Sequence, residues 1–173
     1  LARAGVPRAT IERAASMLFA PGISVVDDAL TVKAAARVHA FHDPTEGGLS
    51  TALHELAESC GRTLRVFGIE ETVLPETETV CAALGLDPLG LLASGALLAV
   101  VPEEDCETSR EALAGRGIRS FCLGRVVAGP PAVIMVGPEG ESPLRRFQRD
   151  ELARLFEGLL SRGPAGLPPG TPG

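Results

Sequence analysis

A strand that runs into a glycine-bearing turn and then straight into an amphipathic helix leaves few folds open. The segment VHAFHDPTEGGLSTALHELAESCG, residues 38–61, reads that way from end to end. VHAF (38–41) is apolar at alternate positions, the period of a strand. Asp43, Pro44, Thr45, Gly47 and Gly48 then crowd turn-forming residues together. Beyond them Leu49, Ala52, Leu53, Leu56, Ala57 and Cys60 fall on one helical face, and Thr51, His54, Glu55 and Glu58 on the other. Gly61 supplies a C-terminal stop, and TLRVFGI (63–69) reads as the next strand. A strand, a helix and a second strand in that order belong to a layered α/β domain, with a sheet covered by helices.

The flanking sequence extends this pattern. Helices are expected over 10–19, broken by Pro21–Gly22, then over 25–37, 76–84, 103–114 and 149–160. In the last of these Leu152, Leu155, Phe156 and Leu159 are expected to face inward. Glu103, Glu104 and Asp105 suit the positive end of the helix they open. ALLAVV (96–101) reads as a buried strand. IRSFCLGRVV (118–127) and AVIMV (132–136), joined through Gly-Pro-Pro, read as a hairpin. The fold class is therefore α/β (α+β), a layered mixed sheet with partial ferredoxin-like topology. Residues 1–160 form the domain, and the Pro/Gly-rich end, 161–173, is expected to be a disordered tail.

Composition narrows the partners. The 173 residues are 45% hydrophobic, yet contain no Trp, no Tyr and only six Phe, so the core must be aliphatic. The net charge of -6 argues against broad binding to nucleic acid or to anionic membrane. No apolar run reaches the roughly 18 residues of a membrane span. Cys60, Cys81, Cys106 and Cys122 form no C-x-x-C pair and read as reduced thiols, which fits a cytoplasmic protein. The chain opens on Leu1, which suggests a fragment of a longer protein.

The 42–48 loop carries the chemistry. A turn feeding a helix gathers free N–H groups at one point, and the helix dipole adds partial positive charge, which together favour phosphate or carboxylate. Gly47 and Gly48 would let a ligand approach the backbone, and Thr45 can donate a hydroxyl. Asp43 fits as a cap or as a partner for a metal carried on a polyphosphate. Plain helix capping explains the same residues, and no Lys follows the glycines as in a P-loop. On the anion reading, Gly47→Asp should abolish ligand binding and leave the fold largely intact. His39, His42 and His54 do not form a metal set, because the first two point to opposite faces of a strand and His54 lies on a polar helix face. Arg145, Arg146 and Arg149 read as a surface cluster, and Cys81 as core.

HDPTEGGL also resembles the central motif of the C-terminal half of the aminoimidazole ribonucleotide synthetase (AIR synthase) superfamily, nearest to the branch of the hydrogenase maturation factor HypE. PGISVVDDAL (21–30), GLDPLGLLASGALLAVV (85–101) and FCLGRVV (121–127) match further segments of that branch. The resemblance implies an AIR synthase-like C-terminal domain that closes one wall of a cleft. A preceding half, absent from this sequence, would carry most contacts to ATP and Mg2+. Asp43, Thr45, Gly47 and Gly48 would face the substrate or phosphate, with Ser94 and Gly95 on a second loop. The implied partners are that N-terminal half, a second copy in a homodimer and a small phosphorylated ligand. The implied reaction is activation of a carbonyl or amide oxygen by phosphoryl transfer. Two departures point to a paralogue with its own substrate: Ala93-Ser94-Gly95-Ala96 stands where the branch reads A-N-E-G, and the sequence ends in GTPG rather than in the branch's cysteine motif. The rival readings are a non-catalytic metabolite-binding or assembly module and another superfamily enzyme such as a thiamine-phosphate kinase.

Overall fold

The computed structural model describes residues 1–161. The disordered tail expected over 161–173 therefore falls, from residue 162 onward, outside the described residues. Helices α1 (Arg8–Ser16) and α2 (Val26–Ala35) flank an irregular turn at Leu18–Gly22, in which Ala20 is extended before Pro21. Strand β1 (Ala40–His42), helix α3 (Gly48–Cys60) and strand β2 (Thr63–Val66) follow, then helix α4 (Pro75–Leu84) and strand β3 (Leu98–Val100). Helix α5 (Cys106–Ala114), strands β4 (Gly124–Val127), β5 (Ala132–Gly137) and β6 (Gly140–Pro143), and helix α6 (Glu151–Ser161) complete the order.

Two sheets result. β1 and β3 pair antiparallel, with Phe41 opposite Ala99. The other four strands form a mixed sheet in the order β4-β2-β5-β6, in which β2 runs parallel to β5 and antiparallel to β4. The expectation of a mixed sheet covered by helices holds. The expected hairpin does not: β4 and β5 are not neighbours, because β2 lies between them. Both meet β2 at Thr63, which sits opposite Val127 on one side and Ala132 on the other. The Gly-Pro-Pro link therefore arches over the start of β2, and Thr63 Oγ1 donates to the Pro130 carbonyl at 2.7 Å. Residues 118–123 are not strand, and β6, unforeseen in the sequence, pairs antiparallel with β5.

The core is aliphatic, as the composition requires. Leu53, Leu56 and Ala57 of α3 pack on Leu64 and Val66 of β2, with Ile69, Val133 and Leu144 closing the cluster. Burying one such side chain contributes about 1.5–3 kcal/mol. This packing fixes α3, and with it the loop at its N-terminus. In α6 the expected inward face is only partly covered: Leu152 and Leu155 are half-buried, whereas Phe156 and Leu159 stand in solvent. Among the described residues no single helix is long and apolar enough to cross a membrane.

Candidate functional site

Three stretches far apart in sequence meet at the N-terminus of α3. Thr45 provides the hinge: its carbonyl accepts from Gly48 N–H at 3.1 Å and from Ala93 N–H at 3.4 Å, joining the 42–48 loop to the 91–96 loop. The second loop reaches a third segment, since a Cβ built on Gly95 would lie 3.3 Å from Ile23 Cα and 3.4 Å from the Gly22 carbonyl oxygen. Asp43, Thr45, Ser94 and Gly95 are exposed on these loops, while Pro44, Gly47 and Gly48 are buried beneath them.

The two glycines differ from the sequence expectation. Their amides do not await an anion. Gly47 N–H donates to Asp150 Oδ2 at 2.9 Å in a buried hydrogen bond, and Gly48 N–H is taken by Thr45. Both residues have positive φ, 77° and 65°, which a glycine adopts without steric cost. A Cβ on Gly47 would come within 2.8 Å of Thr51 Cβ, so Gly47→Asp would disturb the fold as well as any ligand site. A Cβ on Gly48 would lie 2.5 Å from the Leu91 carbonyl oxygen. The glycines shape the loop and let it dock.

Asp150, which sequence reasoning passed over, is the partner that closes this arrangement. It is 9% exposed, and its other oxygen, Oδ1, accepts from Leu152 N–H at 2.8 Å, capping α6. One carboxylate thus ties the glycine loop to the last helix across 103 residues. The local signal was present: an Asp directly before the apolar run ELARLF marks a helix N-cap. The segment before it is strapped over α3. His54 Nε2 meets the Leu144 carbonyl at 3.1 Å, Ser50 Oγ donates to the Arg145 carbonyl, and the Phe147 ring fills the space that a Cβ on Gly90 would need. The three arginines of this region lie on the surface, as expected, and each has a partner there. Arg146 pairs with Glu58, Arg149 pairs with Glu157, and Arg145 stacks over the Phe147 ring at 4.5 Å.

Beside this strap an open cleft of about 620 Å³ is bounded by the Gly85–Pro88 turn, Arg145, Glu151 and Arg154. The buried Glu151 accepts from Asp87 N–H at 3.2 Å and from Arg154 Nη2 at 2.5 Å, and Arg154 Nη2 also donates to the Gly85 carbonyl at 3.0 Å. The Arg154 guanidinium holds the Glu151 carboxyl below its ordinary value, although burial acts the other way. A carboxylate with a depressed pKa adds stability that is fully present above its unfolded value, about 4.3, and is lost as the pH falls through the folded value. We therefore expect the contribution of the Glu151–Arg154 pair to fade as the pH falls below about 4. Glu151→Gln should be less stable than wild type at pH 7, with the difference shrinking as pH drops below about 4. Urea denaturation at stepped pH measures it, and a constant difference from pH 7 to pH 3 would contradict it.

The remaining candidates are occupied. His42 Nε2 pairs with Glu55 Oε2 at 2.8 Å. Burial, aided by Asp87 and Glu151, pushes the Cys81 thiol up, which keeps it protonated in the core. Among the described residues no group of three His, Cys, Asp or Glu side chains converges as a metal site. With the glycine amides also engaged, these residues do not by themselves build a pocket for a magnesium nucleotide.

A strand, a docked glycine loop and a helix, set against a second loop from the β3 side, define the class. Residues 24–137 match the family described as AIR synthase related protein, C-terminal domain, and the chain belongs to that family. Within it the similarity runs to HypE. The carbamoyl dehydratase HypE of Rhodobacter capsulatus is 40% identical over 102 residues, which is 56% of this chain and 29% of that protein. The crystal structure of Escherichia coli HypE, a hydrogenase maturation protein, superposes with a TM-score of 0.66 at 28% identity, covering 76% of this chain and 42% of that one. A structure of HypE in complex with ATP superposes at 0.58, also at 28% identity, over 65% of this chain and 37% of that one. The chain thus spans less than half the length of the relatives it matches.

Proposed function

We propose that this chain is the substrate-side domain of a HypE-like, ATP-dependent protein of the cytoplasm, working with an ATP-binding half that also binds Mg2+. The reading rests on one observation: the 42–48 and 91–96 loops are fastened to each other through Thr45, with Asp43, Thr45, Ser94 and Gly95 exposed on the shared rim. Polar side chains held on a rigid rim are what positioning of a reacting group requires. The reaction class is activation of a carbonyl or amide oxygen by phosphoryl transfer, in line with the carbamoyl dehydratases among the relatives. Because the amides of Gly47 and Gly48 are engaged, hydrogen bonds to a phosphoryl or carbamoyl oxygen would come from the Thr45 and Ser94 hydroxyls. Asp43 would take a donor from the substrate or stand near the metal that accompanies the nucleotide. Joined to its other half, the protein would act as a homodimer.

The test is a chimera in which this chain replaces the matching portion of the R. capsulatus relative, assayed for ATP turnover. Thr45→Ala and Ser94→Ala remove one hydrogen bond each, so each should lower kcat/KM by about 2- to 10-fold. Thermal midpoints should stay within about 2 °C of wild type, because both side chains are exposed. Turnover unchanged in both variants would show that the rim does not touch substrate. A chimera that binds ATP and never hydrolyses it would favour a metabolite-binding module.

A further inference from the structure

Two of the four cysteines, distant in sequence, meet beside the edge strand β4. Cys106 opens α5 and is half-buried, whereas Cys122 lies just ahead of β4 and is exposed. The Cys122 thiol stands within hydrogen-bonding reach of the Cys106 thiol. An independent contact sets the same two segments side by side. Arg125 Nη1 pairs with Glu103 Oε1 at 2.6 Å, and these residues stand three positions outside the cysteines, Glu103 before Cys106 and Arg125 after Cys122. The approach to β4 is also pinned at both ends. Ile118 N–H donates to the Leu113 carbonyl at 3.0 Å, and Phe67 N–H donates to the Leu123 carbonyl at 2.8 Å. The two thiols are thus held together by backbone and side-chain contacts that do not involve sulfur.

We propose that Cys106 and Cys122 form a modification site, a thiol pair that closes reversibly to a disulfide on meeting a small-molecule disulfide such as oxidised glutathione. The proposal goes beyond the functional reading above and does not depend on it. Cys122, being exposed, meets the oxidant first. Its thiolate attacks one sulfur of the small disulfide, which makes a mixed disulfide and releases one thiolate. The Cys106 thiolate then attacks the Cys122 sulfur, closes the S–S bond within the chain and expels the second thiolate. The protons lost by the two cysteines pass to the released thiolates, so one disulfide is reduced as the other forms. Burial, with the Cys122 thiol beside it, pushes the Cys106 thiol up, and Arg110 acts the other way. Cys106 is therefore the slower nucleophile and suits the second step, in which its target is already in place. The product ties α5 to β4, a strand whose sheet partner is β2 alone. Cys60 provides an internal control: it is also exposed, yet its thiol turns back to the Ala57 carbonyl of its own helix at 3.5 Å.

The test equilibrates the 173-residue chain with reduced and oxidised glutathione at graded ratios, both natively and in denaturing urea, quenches with acid and maps the thiols by mass spectrometry. Two of the four thiols should disappear together, with a peptide cross-linked between Cys106 and Cys122. Cys60 should carry a glutathione adduct and no bridge, and the buried Cys81 should stay free. The effective concentration of one thiol toward the other should be at least about tenfold higher in the native chain than in urea, because folding already holds them together. By linkage, a tenfold ratio raises the thermal midpoint of the oxidised chain by about 3–6 °C. Amides of β4 should exchange more slowly once the bond has closed. Cys122→Ser, at an exposed position, should match the reduced wild type in thermal midpoint and show no rise with oxidised glutathione. Separate glutathione adducts on Cys106 and Cys122 would overturn the proposal. So would a bridge from either one to Cys60 or Cys81, or an effective concentration no higher in the native chain than in urea.

Discussion

Asp150→Ala should be among the most damaging single substitutions in this chain, with a loss of about 2–4 kcal/mol. Two separate interactions end together. The α6 cap on Leu152 N–H is lost, typically about 1 kcal/mol. The Gly47 N–H is left buried without an acceptor, which costs about 1–3 kcal/mol. Asp150→Asn keeps one acceptor oxygen where Asp uses two, so its loss should fall between alanine and wild type. Urea denaturation of the three proteins ranks them, and amide exchange locates the effect: the Gly47 amide should exchange faster in Asp150→Ala, ahead of the α3 interior. A stability change below about 0.5 kcal/mol, the range of surface substitutions, would mean that the carboxylate is not bonded as described.

That coupling bears on how the rim works. The loop carrying Asp43 and Thr45 is held from below by Asp150 and from the side by Ala93, so its position depends on α6 and on the β3 loop together. Loosening α6 should therefore be felt at the rim. In the chimera, Asp150→Asn should reduce turnover more than a remote substitution of equal stability cost. The cleft beneath Arg145 lies on the same strap, and the Glu151–Arg154 pair holds the Gly85–Pro88 turn that leads into the second loop.

How much of this the sequence disclosed depended on the range of each interaction. The α3 helix was readable because its apolar period is local, and Gly61 stops it where expected. The HDPTEGG loop was readable as a loop, and the resemblance carried by four separated stretches pointed to the family. Its amides were misjudged because their partners lie elsewhere: Gly47 bonds to a residue in another element, and no local pattern encodes a contact across 103 positions. The β4–β5 link failed for the same reason. A Gly-Pro-Pro turn between two apolar runs predicts a hairpin, and only the insertion of β2, set by burial of Leu64 and Val66, separates the strands. The stripe on α6 shows the limit of periodicity: it marks an apolar face without saying whether the same chain covers it.

Gly48→Ala should cost about 3–4 kcal/mol, and a paired control separates the two physical causes. Gly48 has φ 65° and Gly61, at the other end of α3, has φ 63°, so an alanine meets nearly the same left-handed backbone at either place. That conformation alone costs a non-glycine residue about 1–2 kcal/mol. Around Gly61 a Cβ would find nothing within 4 Å, whereas at Gly48 it would meet the Leu91 and Leu89 carbonyl oxygens at 2.5 and 2.6 Å. Those are backbone atoms, and they cannot swing aside as a side-chain end can. Gly61→Ala should therefore show the conformational cost alone, and Gly48→Ala that cost plus about 2 kcal/mol from separating the 42–48 loop from the 89–91 turn. Equal losses in the two variants would mean that the loop does not dock on that turn. A larger loss at Gly48, with faster exchange of the Ala93 amide, would show that the rim stays assembled only while a hydrogen atom, and no methyl group, fits between the two loops.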